Sequence, residues 1–350
     1  MIRRTKGDLL QADVQALVNT VNTAGVMGRG VALQFKRAFP DNFRAYQQAC
    51  AAGKVRLGEM FVFATGKLQN PRYIINFPTK QHWRSRSRYE HIEQGLRALA
   101  REIERLRIES VALPPLGCGL GGLDWNRVYR SIEQALDPLR DVQVWVYEPA
   151  GAPAAEKMTT RTTRPTMTAA RAALLVLMKR YLEPLMDEAV TLLEIHKLMY
   201  FLQAAGEPLR LNYVKGVYGP YAQNLHHVLE RIEGHFITGY GDGREAPGKV
   251  IECRPDALEQ AEARLADQQG TQERLNRLAQ LITGFETPYG MELLSSVHWV
   301  AARESEEARQ NAPAAVSAIH AWSDRKRRLF KAEHIMAAWQ SLRDGEWLRE

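Results

Sequence analysis

"ALVNTVNTAGVMGRGVALQFKRAFP", residues 16–40, sets a short apolar run against two asparagines, three glycines within six positions and the opening of an amphipathic helix. Ala16–Asn19 reads as a strand and Val31–Phe39 as a helix. Glycines directly behind a strand let backbone N–H groups approach a bound group with no Cβ in the way. A helix N-terminus directly after them favours an anion. Gly25, Gly28 and Gly30 therefore read as a diphosphate cradle, with the Asn19 and Asn22 amides available to a ribose. The plain alternative is a turn that only joins strand to helix. A dinucleotide fold fits poorly, because "GVMGRG" is not G-x-G-x-x-G and no acidic residue closes a second strand at the required distance.

Working outward, a second loop of the same kind lies in "VALPPLGCGLGGLDW", residues 111–125, which runs from a strand through glycines to a helix with Asp124 as its N-cap. Ligands of open α/β sheets sit at the carboxyl ends of strands, so two such loops predict a diphosphate clamped from both sides. Further strands are expected near Ile2–Lys6 and at Glu59–Ala64, Tyr73–Pro78, Ser110–Leu113 and Gln143–Glu148. Further helices are expected at Asp41–Ala52, Tyr89–Arg107 and Asp124–Asp137. This alternation predicts a three-layer α/β domain over residues 1–150. "PAGAPAAEKMTTRTTRPTMTAA", from Pro149 to Ala170, lacks large apolar residues and reads as a flexible linker over 151–170. Residues 171–350 read as mainly helical, with helices expected at Ala172–Met186, Thr191–Ala205, Pro220–Arg231, Pro255–Phe285 and from Gly290 onward.

Charge divides along the same line. Residues 1–150 carry 22 Lys and Arg against 14 Asp and Glu, a net +8, whereas residues 171–350 carry 22 against 25, a net −3. A basic N-terminal half suits a polyanionic partner, solvated surface charge being the bland alternative. Three cysteines far apart in sequence, Cys50, Cys118 and Cys253, suggest neither a zinc site nor a disulfide framework. No apolar run reaches the length of a membrane span, and the first residues, MIRRTKGDLL, lack a secretory h-region. The expectation is a cytoplasmic protein without membrane, metal or cofactor.

"GDLL…ALVNTVNTAGVMGRGVALQFKRAFP" together with "PPLGCGLGGLDW" resembles the macrodomain, the ADP-ribose-binding module, over about residues 1–148. The resemblance implies a mixed sheet between helix layers, with ADP-ribose, as substrate or product, across the strand ends. It places Asp8, beside Leu9, on the adenine amino group and Tyr147 against the adenine ring. The loop of Asn22, Thr23, Gly25, Val26, Met27, Gly28 and Gly30 would line the distal ribose. Gly117, Cys118, Gly119, Leu120 and Gly121 would line the diphosphate. Asp8 has a plain alternative as a turn cap.

"YIINFPTKQHWRSRSRYEHIEQGL" decides between binding and cleavage. It resembles the branch containing the terminal ADP-ribose protein glycohydrolase and the DarG antitoxins, which implies a catalytic lysine at Lys80, on a loop following the strand. A free amine there would attack the anomeric carbon or its open-chain aldehyde, whereas an ammonium would stabilise charge or protonate the leaving base. The human glycohydrolase has an acidic residue where this chain has Gly121. Beyond Lys80, the cations Arg84, Arg86 and Arg88 alternate with His82, Trp83 and Tyr89, a pattern suited to single-stranded nucleic acid. The alternative is a charged loop with Trp83 buried. His82 lacks partner spacing for a metal, and Cys118 lacks a nearby base.

In the C-terminal half, "HKLMYFLQ…YGPYA" resembles the DarG C-terminal region and, more loosely, Panacea-type antitoxin domains. That implies binding and neutralisation of a DarT toxin, which attaches ADP-ribose to thymine in single-stranded DNA. Leu193, Lys197, Tyr200 and Phe201 form either a binding stripe or core. "SDRKRRLF", residues 323–330, is a basic patch without an assignment. The leading expectation is an antitoxin that hydrolyses the thymine–ADP-ribose bond. The alternatives are a hydrolase acting on acidic protein side chains and a non-catalytic reader.

Overall fold

The computed structural model describes residues 1–149, 151, 153–186, 189–241, 243 and 246–348. Two compact units emerge, one of Met1–Thr163 and the other of Arg164–Gly241 with the described residues from 246 onward.

The first unit is built on six strands, β1 (Ile2–Thr5), β2 (Ala16–Asn22), β3 (Phe61–Ala64), β4 (Tyr73–Lys80), β5 (Ser110–Leu113) and β6 (Gln143–Tyr147), in the order β1-β6-β5-β2-β4-β3. All neighbours are parallel except β3, which runs antiparallel to β4. Period-two alternation divides the sheet between two cores. Ala16, Val18, Ile75, Phe77, Val111 and Leu113 face α3 (Tyr89–Arg105) and α4 (Trp125–Leu136). Leu17, Ile74 and Ala112 face α1 (Gly30–Ala38), and Val21 faces α2 (Pro40–Ala51). The expected mixed sheet between helix layers is therefore present.

Helix α3 shows why the layers close tightly. Ile92, Leu96, Leu99 and Ile103 recur at helical spacing and are at most 1% exposed. Fully burying side chains of this kind contributes about 1.5–3 kcal/mol each. A Cβ on Gly95 would stand 2.2 Å from the Phe77 ring, so only glycine lets α3 come this close to β4.

Several boundaries differ from the expected ones. Strand β2 continues to Asn22, and β4 continues to Lys80, because a bulge between Val21 and Asn22 brings Asn22 opposite Lys80. Lys80 is thus the last residue of a strand, not part of a loop. Pro40 opens α2, where its missing N–H costs nothing. Part of the expected linker carries structure: Ala155–Lys157 forms a short 3-10 turn, and the Arg161 N–H donates to Arg37 O at 2.9 Å. Ala150 and Ala152 of that stretch lie outside the described residues.

The second unit is mainly helical, with α5 (Ala169–Leu182), α6 (Leu192–Ala204), α7 (Leu225–Ile232), α8 (Pro255–Leu265), α9 (Gln269–Ile282) and α10 (Pro288–Trp299), then four further α-helices between Glu306 and Asp344. It also holds β7 (Val190–Thr191), the hairpin β8 (Tyr213–Gly216) and β9 (Gly219–Ala222), and β10 (Ile237–Thr238) with β11 (Val250–Cys253). The expected helix from Pro220 gives way to β9 and a later start at Leu225. The expected single helix Pro255–Phe285 is two helices. Ten residues separate buried Leu265 from buried Leu275, which on one continuous helix would put the two stripes about 80° out of phase. Among the described residues no helix is long and apolar enough to cross a membrane.

Candidate active site

Three adjacent parallel strands, β5, β2 and β4, end on the same side of the sheet. Their carboxyl ends deliver the loop Leu116–Leu123, the loop Asn22–Arg29 and Lys80. The two glycine loops meet: a Cβ on Gly30 would lie 3.8 Å from Leu120 Cδ1. Gly25 and Gly117 hold φ values of +79° and +70°, conformations that favour glycine. Val26 and Leu120 are exposed at 39% and 57%, while Met27 is buried beneath its loop.

Asn22 shapes its own loop. Its Nδ2 donates to Val26 O at 2.6 Å, and its Oδ1 accepts from the N–H groups of Ala24 and Val26. Asn19 is fully buried and donates to Asn76 Oδ1 at 3.0 Å. Residue 19 shares the inward parity of Leu17 and Val21; its Nδ2 braces β2 against β4, while its buried Oδ1 has no partner among the described residues. Asp8 divides its carboxylate. Oδ1 accepts from the Leu10 N–H at 2.9 Å as the cap of a short 3-10 turn, and buried Oδ2 has no partner among the described residues. The cap reading is met, and the second oxygen is left unpaired. Leu9 is core. Tyr147 ends β6 at only 7% exposure, packed in the cluster of Leu9 and Phe35, so its ring is not open. Burial, then the nearby Asp8, raises its phenol pKa.

Lys80 is half-buried, and burial lowers its ammonium pKa from the ordinary 10.5. Among the described residues its Nζ has no carboxylate or hydrogen-bond partner. Its backbone is fixed from the first glycine loop. The Thr23 N–H donates to Lys80 O at 3.2 Å and Gln81 O at 3.1 Å, and Thr23 Oγ1 donates to Gln81 O at 3.0 Å. Cys118 is half-buried with its thiol pushed up to about 12, by burial first and Asp124 second. That thiol is a poor nucleophile. Asp124 caps α4, accepting from the Arg127 N–H at 2.9 Å.

Gly121 stands out for what it excludes. A Cβ there would lie 2.4 Å from both Gly117 O and Ser87 Oγ. No side chain, acidic or otherwise, fits at that position in this backbone. Gly119 is open, with nothing near its would-be Cβ, and Gly28 meets only Val26.

The segment Gln81–Arg88 leaves Lys80 and returns to α3. His82, Trp83, Arg84, Arg86 and Arg88 are all exposed on it. Trp83 is 43% exposed, lies tilted against the His82 ring at 5.3 Å between centroids and carries the Arg84 guanidinium 4.4 Å over its ring. The reading of Trp83 as core does not hold. An aromatic and cationic face does.

In the second unit, Leu193, Lys197, Tyr200 and Phe201 are all buried, which makes the stripe core. The basic patch is partly internal. Lys326 is fully buried and donates to Glu292 Oε1 and Ser296 Oγ, each at 2.9 Å, while Arg325 grips the same carboxylate with both nitrogens. Burial alone would raise the Glu292 pKa, but hydrogen bonds from Arg325 and Lys326 hold it below the ordinary value. On α7, His226, His227 and Glu230 bring one ligand atom each within 4.8 Å of one another. Of the pair, His227 is exposed and His226 is turned toward Tyr240.

Comparison with known proteins bears on the same residues. The Macro domain family model matches residues 18–132. A Thermus aquaticus protein named DNA ADP-ribosyl glycohydrolase is 48% identical over 99% of this chain and 96% of its own length. The solved macrodomain of Thermus aquaticus DarG is 60% identical, covering 43% of this chain and 99% of that one, at a TM-score of 0.42. A Thermosipho africanus protein named DNA ADP-ribosyl transferase–DNA ADP-ribosyl glycohydrolase fusion protein is 33% identical over 41% of each chain.

Proposed function

The chain belongs to the DNA ADP-ribosyl glycohydrolase family, and from that premise we propose that it removes ADP-ribose from thymine bases in single-stranded DNA, with Lys80 as the catalytic residue. One observation carries the reading: a half-buried lysine without a carboxylate partner among the described residues, at the strand end beside two glycine loops. Burial favours the neutral amine. Its Nζ lone pair bonds to the anomeric carbon as the bond from that carbon to the base nitrogen breaks, and the proton that Nζ then sheds passes through water to the base. The glycosylamine opens to an imine, and water then releases ADP-ribose and restores the amine.

Single-stranded DNA as the substrate is supported by the exposed Trp83 and its neighbouring arginines, since base stacking and phosphate neutralisation both act without regard to sequence. The second unit is the toxin-binding part of the reading, with a DarT-type ADP-ribosyltransferase as partner. The fused transferase of the Thermosipho relative supports the pairing of the two activities.

The test is release of ADP-ribose from thymine-modified single-stranded DNA, wild type beside Lys80→Ala, with free ADP-ribose binding measured for both. Release lost in the variant with binding retained is the expected result, and borohydride should trap an ADP-ribosyl adduct on the wild type alone. A wild type that binds ADP-ribose and releases none from DNA would sink the reading.

A further inference from the structure

Ser87 lies between Lys80 and α3 and is 6% exposed, unlike its exposed neighbour Ser85. Its N–H donates to Gly121 O at 3.1 Å, which pins the basic segment to the second glycine loop. Its Oγ is wedged between two glycines, 2.4 Å from a would-be Gly121 Cβ and 3.3 Å from a would-be Gly117 Cβ. Yet the hydroxyl has no hydrogen-bond partner among the described residues. A buried O–H left unpaired costs stability, so its retention calls for an acceptor that arrives later.

The surroundings say what kind. Arg88, the next residue, is the N-cap of the 17-residue helix α3 and makes no side-chain capping bond, so the helix opens with orphan N–H groups and its positive dipole end. The Tyr89 hydroxyl accepts from the Asp124 N–H at 3.1 Å, which places that helix start against the end of the second glycine loop. Of the two carboxylates at this corner, Asp124 is occupied as the cap of α4, and Glu90, in the first turn of α3, is exposed to solvent. A glycine loop, an uncapped helix start and an unpaired hydroxyl together suit an anion.

We infer that Ser87 is a substrate-binding residue whose hydroxyl donates to an anionic diphosphate oxygen of the ADP-ribosyl group. The inference rests on the reading of this site as an ADP-ribose site. It adds a side-chain donor to a cradle otherwise made of backbone.

Ser87→Ala in the full chain tests it. Calorimetry with free ADP-ribose should show about tenfold weaker binding, as for a lost hydrogen bond to a charged group. Without ligand the variant should unfold at the wild-type temperature or higher, because the unpaired hydroxyl is gone. A merely structural serine would give the opposite pattern. Wild-type affinity in Ser87→Ala overturns the proposal, as does weaker binding accompanied by a lower unfolding temperature of the unliganded protein. If the wild type binds ADP-ribose but releases none from DNA, the glycohydrolase reading fails while the affinity comparison still decides Ser87. A wild type that does not bind ADP-ribose overturns both.

Discussion

Lys80 in the first unit and Lys326 in the second are both drawn out of water, but into different company. Lys326 is fully buried and meets a carboxylate held in addition by Arg325, with Ser296 taking another of its protons. Lys80 is only half-buried and meets no carboxylate among the described residues. A buried charge with its counterion organises a core, and its value is felt when one member is removed. A partly desolvated amine without a counterion is poorly placed to stabilise anything and well placed to react. Under the proposed function, the difference separates scaffold from chemistry within one chain.

The contrast breaks first, if it is wrong, at Lys80 itself. Lys80→Ala is expected to lower the release rate by about four orders of magnitude, with unfolding of the first unit unchanged in a denaturant titration. A large loss of stability would make Lys80 a second Lys326. The mirror experiment is Glu292→Gln, which leaves Lys326 without its counterion. It should destabilise the second unit by about 3–5 kcal/mol, read by denaturant unfolding, while ADP-ribose release from DNA persists.

Two substitutions sharpen the picture within the first unit. Gly121→Ala forces a methyl against Gly117 O and Ser87 Oγ and should cost about 1–3 kcal/mol as an overpacked site. Calorimetry should show weaker ADP-ribose binding as well. Trp83→Ala should weaken single-stranded DNA binding by about 1–3 kcal/mol in fluorescence anisotropy and leave affinity for free ADP-ribose alone. The smallest effect concerns pH. The folded pKa of Lys80 is lowered by burial, so the reactive amine accumulates as pH rises and does so earlier than for a lysine at 10.5. Single-turnover release should climb by about tenfold per pH unit and reach its plateau below that value. A rate that falls with rising pH would restore the ammonium route.

Much of this was legible in residues 16–40 and 111–125. Glycines at a strand end declare a close backbone approach, because no other residue needs to be absent in that way. Lys80 was legible only through a resemblance, since one lysine in a basic segment looks like any other. Its strand-end position was hidden in the Val21–Asn22 bulge, a feature of pairing that neither strand announces. For Asn19 the alternation Leu17, Asn19, Val21 already put it on the inward face, but did not show that Asn76 would take its Nδ2 and leave its Oδ1 unpartnered among the described residues. Ser87 and Ser85 differ by nothing in sequence. Only tertiary packing makes one of them buried and unpaired.

The segment from Gln81 to Arg88 is tied at both ends, by Thr23 at its start and Gly121 at its finish. Trp83 stands three residues beyond Lys80, so the chain between them spans at most about 10 Å. That is about three stacked nucleotides at 3.4 Å each. If Trp83 stacks a base as proposed, that base lies within a few nucleotides of the one bonded to ADP-ribose, and oligonucleotides only a few bases long should carry most of the affinity of that contact.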